Sequence, residues 1–208
     1  RFQNKIWQAF RFLRLHVSEV PTRPPELSEI DKWILARTGT AISAVRNALD
    51  NYRFDVAATE LHAFLWYELC DWYLEFSKGA LYGEADSPKA AARWTLYTVF
   101  HAVARLLHPF MPFLSEEIWQ NLPGEAGKTI MLAPYPHASD FPANPEALSE
   151  VALLQQTISS IRRVRAEFQL AKAPFTLLTP PALLAQLNHY PAALQNLANT
   201  RLQRWEGE

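Results

Sequence analysis

The residue types that most often carry out chemistry are few in this sequence and poorly arranged for it. The one cysteine, Cys70, lies in the aromatic and aliphatic stretch WYELCDWYLE, where a cysteine is typically a small buried hydrophobe. His101 and His108 stand seven residues apart on one helix face, too far to share a metal without other ligands. The remaining histidines show no metal-ligand spacing. The sequence therefore predicts no catalytic residue and no metal site.

Two other patterns that resemble functional motifs have simpler explanations. Glu116 and Glu117 are adjacent and do not share a helix face, so we expect them to interact with the positive end of a helix. Gly124 and Gly127 stand in a polar loop that no strand precedes, which argues against a glycine-rich phosphate-binding loop.

The composition favours a globular protein in a reducing compartment. Of the 208 residues, 49% are apolar and 20% are charged. A single cysteine cannot form an internal disulfide, which favours a cytoplasmic location. No apolar run reaches the roughly 18 residues of a membrane span, and the first residues do not resemble a secretion signal. The opening RFQNKIWQAF is helical in rhythm and lacks methionine, so we expect a piece of a longer protein.

The net charge of −1 hides an uneven distribution along the chain. Residues 1–53 hold nine Lys and Arg against five Asp and Glu, and residues 151–208 hold six against three. Residues 54–150 hold five against thirteen. No block is basic enough to indicate nucleic-acid binding by itself.

Apolar periodicity predicts long helices in the first half of the chain. The spacing of Phe2, Ile6 and Phe10 indicates a first helix. After a proline-rich connector, Ser28 and Asp31 form a capping-box pattern that opens a second helix.

Local signals also predict where the third and fourth helices begin and end. Asp55 is a candidate N-cap of the third helix, and Gly83 is a candidate glycine at its C-terminal end. Ser87 followed by Pro88 predicts an N-cap and a first helical residue for the fourth helix.

Two prolines within LLHPFMPFLSEEIW, residues 106–119, predict a sharp corner. Pro109 should end the fourth helix at His108, because the residue before a proline avoids the α conformation. Pro112 can then begin a short helix. We expect the apolar side chains at this corner to plug the end of the bundle: Phe110, Met111 and Phe113.

These elements predict a mainly α fold, an antiparallel helical bundle with a small C-terminal α/β appendage. The bundle is expected over residues 1–122 and a linker loop over 123–147. Residues 148–208 are expected to form a helix to about residue 168, followed by a strand-like run, a helical stretch and a second strand.

Antiparallel packing predicts that basic and aromatic residues meet at one end of the bundle, which we call the cationic pole. Arginine and lysine can contact phosphates, and a tryptophan face can stack on an unpaired base for roughly 1–3 kcal/mol. This combination suits single-stranded RNA. The alternative is that the charges are solvated helix ends and the tryptophans are core residues. The expected members are Arg11, Arg14, Lys32, Trp33, Arg37, Lys78, Lys89, Arg93 and Trp94.

Several ordered motifs resemble one family of proteins. ELCDWYLEFSK (68–78) and LLHPFMPFLSEEIWQNL (106–122) are similar to the helical anticodon-binding domain of class I aminoacyl-tRNA synthetases, the valyl-tRNA synthetase family in particular. RFQNKIWQAFRF (1–12), DKWILAR (31–37) and ISSIRRVRAEFQL (158–170) match in the expected order. The resemblance covers about residues 1–170, and the His-Ile-Gly-His and Lys-Met-Ser-Lys-Ser motifs of the family are absent.

The resemblance implies an RNA-binding part of a ligase rather than a catalytic one. The implied partners are a valine-specific tRNA, contacted at its anticodon stem-loop, and the rest of the synthetase chain, with no membrane. No cofactor is implied for this part, whereas ATP and magnesium are implied for the missing catalytic domain. Arg162, Arg163 and Arg165 are expected to be solvated. The implied RNA-binding residues are Arg11, Arg14, Lys32, Trp33, Arg37, Arg93, Trp94 and Tyr97.

Two alternatives stay open on the sequence alone. The chain could be the same domain of an isoleucyl- or leucyl-tRNA synthetase, or a purely structural helical bundle that braces other domains. Trp33 could stack on an anticodon base or pack in the core.

Overall fold

A computed structural model describes residues 1–24, 26–170 and 174–205. The chain divides into two compact units, Arg1–Asn144 and Pro145–Glu208. The first unit is the helical bundle. Its helical elements are α1 (Phe2–His16), α2 (Glu29–Asp50), α3 (Phe54–Ala63), a π-helical segment (Phe64–Tyr73), α4 (Leu74–Leu81), α5 (Asp86–Leu107) and α6 (Pro112–Gln120).

The start of α2 forms as its sequence predicts. The backbone N–H of Asp31 donates to Ser28 Oγ at 3.2 Å, and the Ser28 N–H donates to Asp31 Oδ2 at 3.3 Å. This reciprocal pair satisfies two N–H groups that the first turn of a helix leaves unpaired. The predicted capping box is confirmed.

The ends of the next two helices differ from prediction by a few residues. α3 begins at Phe54, so Asp55 lies inside its first turn and pairs with Arg53 instead of capping. Gly83 does not adopt a left-handed conformation and lies beyond the end of α4. α5 begins at Asp86, so Ser87 and Pro88 both lie in its first turn. Pro88 is tolerated there because first-turn N–H groups have no helical acceptor.

The π-helical segment joins α3 and α4 into one continuous rod. The backbone of Ala63 and Leu74 on its two sides stays in the right-handed helical region. The wider turn of a π-helix changes which side chains face inward. Here Tyr73 is fully buried, and its hydroxyl donates to Asp31 Oδ1 at 2.8 Å. The rod is therefore tied to the first turn of α2.

The double-proline corner is present, but its predicted details are only partly correct. His108 follows the last residue of α5 and keeps a right-handed helical conformation (φ −56°, ψ −41°), although it precedes a proline. α5 ends at Leu107, and Pro112 is the first residue of α6. The side chain of Phe113 is 90% exposed, and Phe110 and Met111 are half-buried. α6 buries a different face, formed by Ser115, Ile118 and Trp119.

The segment predicted as a linker is largely part of the bundle unit. Residues 123–144 belong to the first unit, and the boundary follows Asn144. Two short 3₁₀ turns, Ile130–Leu132 and Ala138–Asp140, shape this segment. A side chain at Gly39 would come within 3.0 Å of Phe141, so a larger residue there would push the segment away from α2.

The second unit has the helix and the small α/β appendage that the sequence predicts. Its strands pair in parallel, with Phe175 opposite Thr200 and Thr179 opposite Arg204. Asn199 adopts a left-handed conformation between the last helix and strand. Its elements are α7 (Pro145–Glu167), β1 (Phe175–Thr179), α8 (Pro181–Leu187), α9 (Pro191–Ala198) and β2 (Thr200–Arg204).

Within the ranges that the structure describes, we find no helix with both the length and the apolar character needed to cross a membrane.

Candidate nucleic-acid interface

A groove at the cationic pole combines cations with a partly exposed indole ring. It lies between the proline-rich connector, α2 and α5 and encloses about 370 Å³. The guanidinium carbon of Arg23 lies 5.5 Å from the centroid of the Trp94 ring, a cation–π distance. Lys32 lies on the same wall and pairs with Glu29 at 2.6 Å. We call this the Trp94 groove, lined in part by Arg23, Lys32, Leu35, Trp94 and Thr98.

A second group of cations lies where α1 ends and α5 begins. Burial lowers the pKa of His16, and the positive charges of Arg93 and Lys89 lower it further. The edge of the His16 ring meets Tyr82, with ring centroids 5.0 Å apart. Arg93 is exposed and shares a shallow pocket with His16. The order of the helices thus brings cations from separate parts of the sequence to one end of the bundle.

Arg11 and Arg14 are both exposed on α1, and neither lines the Trp94 groove. Arg14 Nη1 donates to Asn121 Oδ1, at the end of α6, at 3.1 Å. Arg11 contacts only its helix neighbour Gln8, at 3.4 Å, among the hydrogen bonds of the described residues. Their exposure leaves both side chains available to an RNA backbone.

Two expected RNA-binding residues are held by the bundle itself. Trp33 is only 3% exposed, and its ring meets Phe76 edge to face at a centroid distance of 6.3 Å. A base therefore has no access to the ring, and the core-packing alternative describes Trp33 in this structure. Arg37 donates twice to Glu68, each time at 2.6 Å, and these bonds raise its pKa. Its charge is largely neutralised by this partner.

Tyr97 positions a loop rather than presenting its hydroxyl to solvent. The hydroxyl donates to the backbone carbonyl of Pro123 at 3.1 Å. Burial raises its pKa, and the nearby charge of Glu125 adds to this effect. The ring lies beside His101, with centroids 5.7 Å apart. Of the eight expected residues, Lys32 and Trp94 meet in one groove, while Arg93 lies in the neighbouring cluster.

Sequence reasoning overlooked a cation that lies beside the Trp94 ring. Arg23 lies in the proline-rich connector, which carries no helical periodicity and was treated only as a link between helices. Its flanking prolines, Pro21 and Pro24, restrict the backbone and were the available signal that this segment holds a fixed position. His16 and Tyr82 were overlooked for a similar reason, since both stand at helix ends.

Chemistry at Cys70 is disfavoured by its surroundings. The side chain is buried, and burial raises the pKa of its thiol to about 11. Because the thiolate is the nucleophilic form, such a thiol is unreactive at neutral pH. Among the described residues, no group of three or more His, Cys, Asp and Glu side chains is arranged to hold a metal ion.

Comparison with known proteins assigns the chain to a family. A family described as "Anticodon-binding domain of tRNA ligase" matches residues 31–174, more than half of the chain, and the chain belongs to this family.

Several similar curated proteins are valine–tRNA ligases. The chain is 45% identical to that of Carboxydothermus hydrogenoformans over 175 residues, which cover 83% of the chain and 20% of the relative. It is 43% identical to the Geobacter sulfurreducens protein (82% and 20%) and 37% identical to the Bacillus anthracis protein (95% and 23%). The chain thus spans about a fifth of the length of these relatives.

Proposed function

We propose that this chain is the anticodon-binding domain of a valine–tRNA ligase and that it contributes RNA binding rather than chemistry. Its membership of the anticodon-binding family supports the RNA partner, and the names of its relatives support valine as the amino acid. The proposed partners are the anticodon stem-loop of a valine-specific tRNA and the remainder of the ligase. ATP and magnesium are proposed to act in the catalytic part of that ligase. A cytoplasmic location follows from the role in translation.

The observation that carries this proposal is the Trp94 groove. A partly exposed indole beside Arg23 is suited to one unpaired nucleotide, because the base can stack while its phosphate meets the positive charge. Lys32, which is paired with Glu29, and Asp140 also line this groove.

Arg93 and Lys89 extend the positive surface beyond the groove. In this proposal Arg11 and Arg14 contact the RNA backbone from α1.

The buried members of the expected set act indirectly in this proposal. Trp33 and Arg37 hold α2 in place, and α2 in turn carries Lys32 into the groove. Tyr97 holds residue Pro123 against α5.

The test is a titration of the full chain with an anticodon stem-loop that carries a valine anticodon. A second stem-loop with the same stem and a different anticodon is the matched RNA control. We expect weak binding that prefers the valine anticodon and falls steeply as salt increases, because cations displaced from the phosphates are released.

A pair of arginine variants localises the interaction. Arg93→Ala should reduce the slope of log K against log salt by about 0.7, the value for one phosphate contact in single-stranded nucleic acid. Arg53→Ala is the control, because Arg53 lies at the opposite end of the bundle and its side chain pairs only with Asp55 in the described ranges. Absence of binding at low salt would leave the domain as a structural brace.

A further inference from the structure

A larger groove lies elsewhere on the bundle unit. It is formed by α5, α6 and residues 125–134 and encloses about 560 Å³, a volume typical of sites for small molecules. None of its lining residues lines the Trp94 groove. We call it the Trp119 groove. Its lining includes the apolar residues Trp119, Leu132, Ala133 and Pro134 and the charged residues Arg105, Glu125 and Lys128.

Arg105 brings a half-buried positive charge to this groove. Burial lowers its pKa, and the charges of Asp140 and Glu125 oppose this shift without forming a direct ion pair in the described part of the chain. Its Nε donates to the His101 carbonyl at 3.0 Å, and its Nη1 donates to the Pro134 carbonyl at 3.1 Å. Its Nη2 lies 3.1 Å from His101 Nδ1. All three acceptors are neutral, and no ion pair involves Arg105 in the part of the chain that the structure describes.

The one carboxylate on the groove wall already has partners. Arginine only donates, so His101 Nδ1 accepts from Arg105, and His101 therefore carries its proton on Nε2. That Nε2–H donates to Glu125 Oε1 at 3.3 Å, and Lys128 Nζ lies 4.0 Å from Glu125 Oε2. Burial lowers the pKa of His101, and the charge of Arg105 adds to this effect, so the neutral ring is favoured. Glu125 is thus engaged by His101 and Lys128.

Trp119 adds a hydrogen-bond donor that has no acceptor. Its side chain is 3% exposed and lines the groove, and its ring lies 4.6 Å from that of His101. The indole Nε1 is buried and has no hydrogen-bond partner among the described residues. An unpaired buried N–H is costly, so such a group is commonly completed by a ligand or a water molecule.

We propose that the Trp119 groove binds a small organic carboxylate with an apolar body. The flat carboxylate matches the planar guanidinium of Arg105 and supplies an acceptor for the indole N–H of Trp119. Leu132, Ala133 and Pro134 cover the apolar body. A dianionic phosphate fits less well, because Glu125 lies on the same wall and repels a second negative charge.

Phenylacetate is a suitable probe, with phenylacetamide as its neutral isostere. In the full chain labelled with ¹⁵N, the indole N–H signal of Trp119 can be assigned from its absence in Trp119→Phe. We expect phenylacetate to shift this signal with a dissociation constant in the millimolar range, as is usual for so small a ligand. Phenylacetamide should bind about tenfold more weakly, because it lacks the charge-assisted hydrogen bonds.

Variants of the two donors give the decisive comparison. Arg105→Gln should weaken phenylacetate binding about tenfold and remove the preference for the acid over the amide. Because Arg105 also holds Pro134, Trp119→Phe is the second variant, and it should weaken binding while keeping an aromatic ring. Arg46→Gln is the control, since Arg46 also contacts a histidine, His137, but lies outside the groove.

Three results would overturn the proposal. They are equal binding of the acid and the amide, no shift of the Trp119 signal by either compound, and displacement of phenylacetate by an anticodon stem-loop. The last result would assign the groove to RNA. A failure of RNA binding alone would leave this proposal intact, because the Trp119 groove is argued from its own residues.

Discussion

Three consecutive residues of α2 differ sharply in burial between the inner and outer faces of one end of the bundle. Asp31 and Trp33 point inward and are 4% and 3% exposed, whereas Lys32 between them is half-exposed and lines the Trp94 groove. The inner face is tied together by hydrogen bonds and packing. The outer face presents the cation Lys32 to the groove. Burial therefore decides whether a charged or aromatic residue of this helix stabilises the fold or remains available for binding.

The inner face joins two separate parts of the chain through one carboxyl group. Asp31 Oδ2 lies 2.5 Å from Ser28 Oγ, and Asp31 Oδ1 accepts the hydroxyl proton of Tyr73. Burial raises the pKa of Asp31, although these hydrogen bonds oppose the shift. The outer face has the opposite character, since Arg23 and Trp94 interact at 5.5 Å across a groove that remains open.

The largest expected effect is a loss of stability when a tryptophan of the inner face, rather than one of the outer face, is replaced by alanine. Trp33→Ala should lower the free energy of unfolding by about 3–5 kcal/mol, because it removes a buried aromatic side chain and leaves a cavity. Trp94→Ala should cost clearly less, since Trp94 is only half-buried. Urea unfolding of both variants measures the difference. Equal losses would mean that Trp94 is as much a core residue as Trp33.

When RNA binding is measured instead of stability, Trp94→Ala should have a larger effect than Trp33→Ala. Trp94→Ala should weaken binding of the anticodon stem-loop by about 1–3 kcal/mol, because it removes a stacking surface for a base. Trp94→Phe should restore part of the loss, since it keeps an aromatic face. Unchanged affinity in Trp94→Ala would exclude the Trp94 groove from the RNA site.

The pH dependence of stability should separate the buried carboxyl from exposed ones. A raised native pKa means that the folded protein holds the Asp31 proton more tightly than the unfolded chain does. The contribution of Asp31 is therefore fully present below the unfolded pKa of about 3.9 and is lost as pH rises through the higher native value.

Asp31→Asn should remove this pH-dependent contribution. The free energy of unfolding of the wild type, relative to Asp31→Asn, should decline as pH rises from about 3.9. Chemical unfolding at a series of pH values measures this difference. Asp55→Asn is the control, because the pKa of exposed Asp55 is lowered by Arg53, and its contribution therefore has the opposite sign. A difference independent of pH would contradict the raised pKa of Asp31.

The smallest expected effect concerns Arg37. Its side chain is neither fully buried, like Trp33, nor free of a charged partner. Its pair with Glu68 is partly exposed, so Arg37→Ala should cost about 1 kcal/mol or less in stability. Binding of the stem-loop should stay within error of the wild type, because the charge is already neutralised. A marked loss of affinity, with a reduced salt slope, would return Arg37 to the RNA-binding surface.

Much of the fold could be predicted because its signals are local. The capping box at Ser28 and the helix breaks around Pro109 and Pro112 depend on residues within one or two turns. The π-helical segment was not predicted, since its apolar pattern also fits an α-helix. The packing of residues 123–144 on the bundle was also missed, because it depends on distant contacts such as Arg105 with Pro134.

The candidate interface was predictable only in outline. The alternation of helix directions predicted that α1, α2, α4 and α5 meet at a cationic pole. This prediction requires only the helix lengths and the short connections between helices. Trp33 does not reach that surface in this structure, because its ring is buried and packs against Phe76. Arg23 was missed because an irregular connector gives no periodicity from which to predict its position.

The sequence by itself determined the capping box that opens α2, the break between Pro109 and Pro112, the apolar surroundings of Cys70, and the family to which the chain is similar. These properties follow from residue type and short-range spacing. The tertiary structure alone decided that Trp33 is buried and Trp94 accessible, that Arg37 is paired with Glu68, and that Arg23 reaches the Trp94 ring. The physical reason is that periodicity identifies a face of a helix, whereas only packing determines what covers that face.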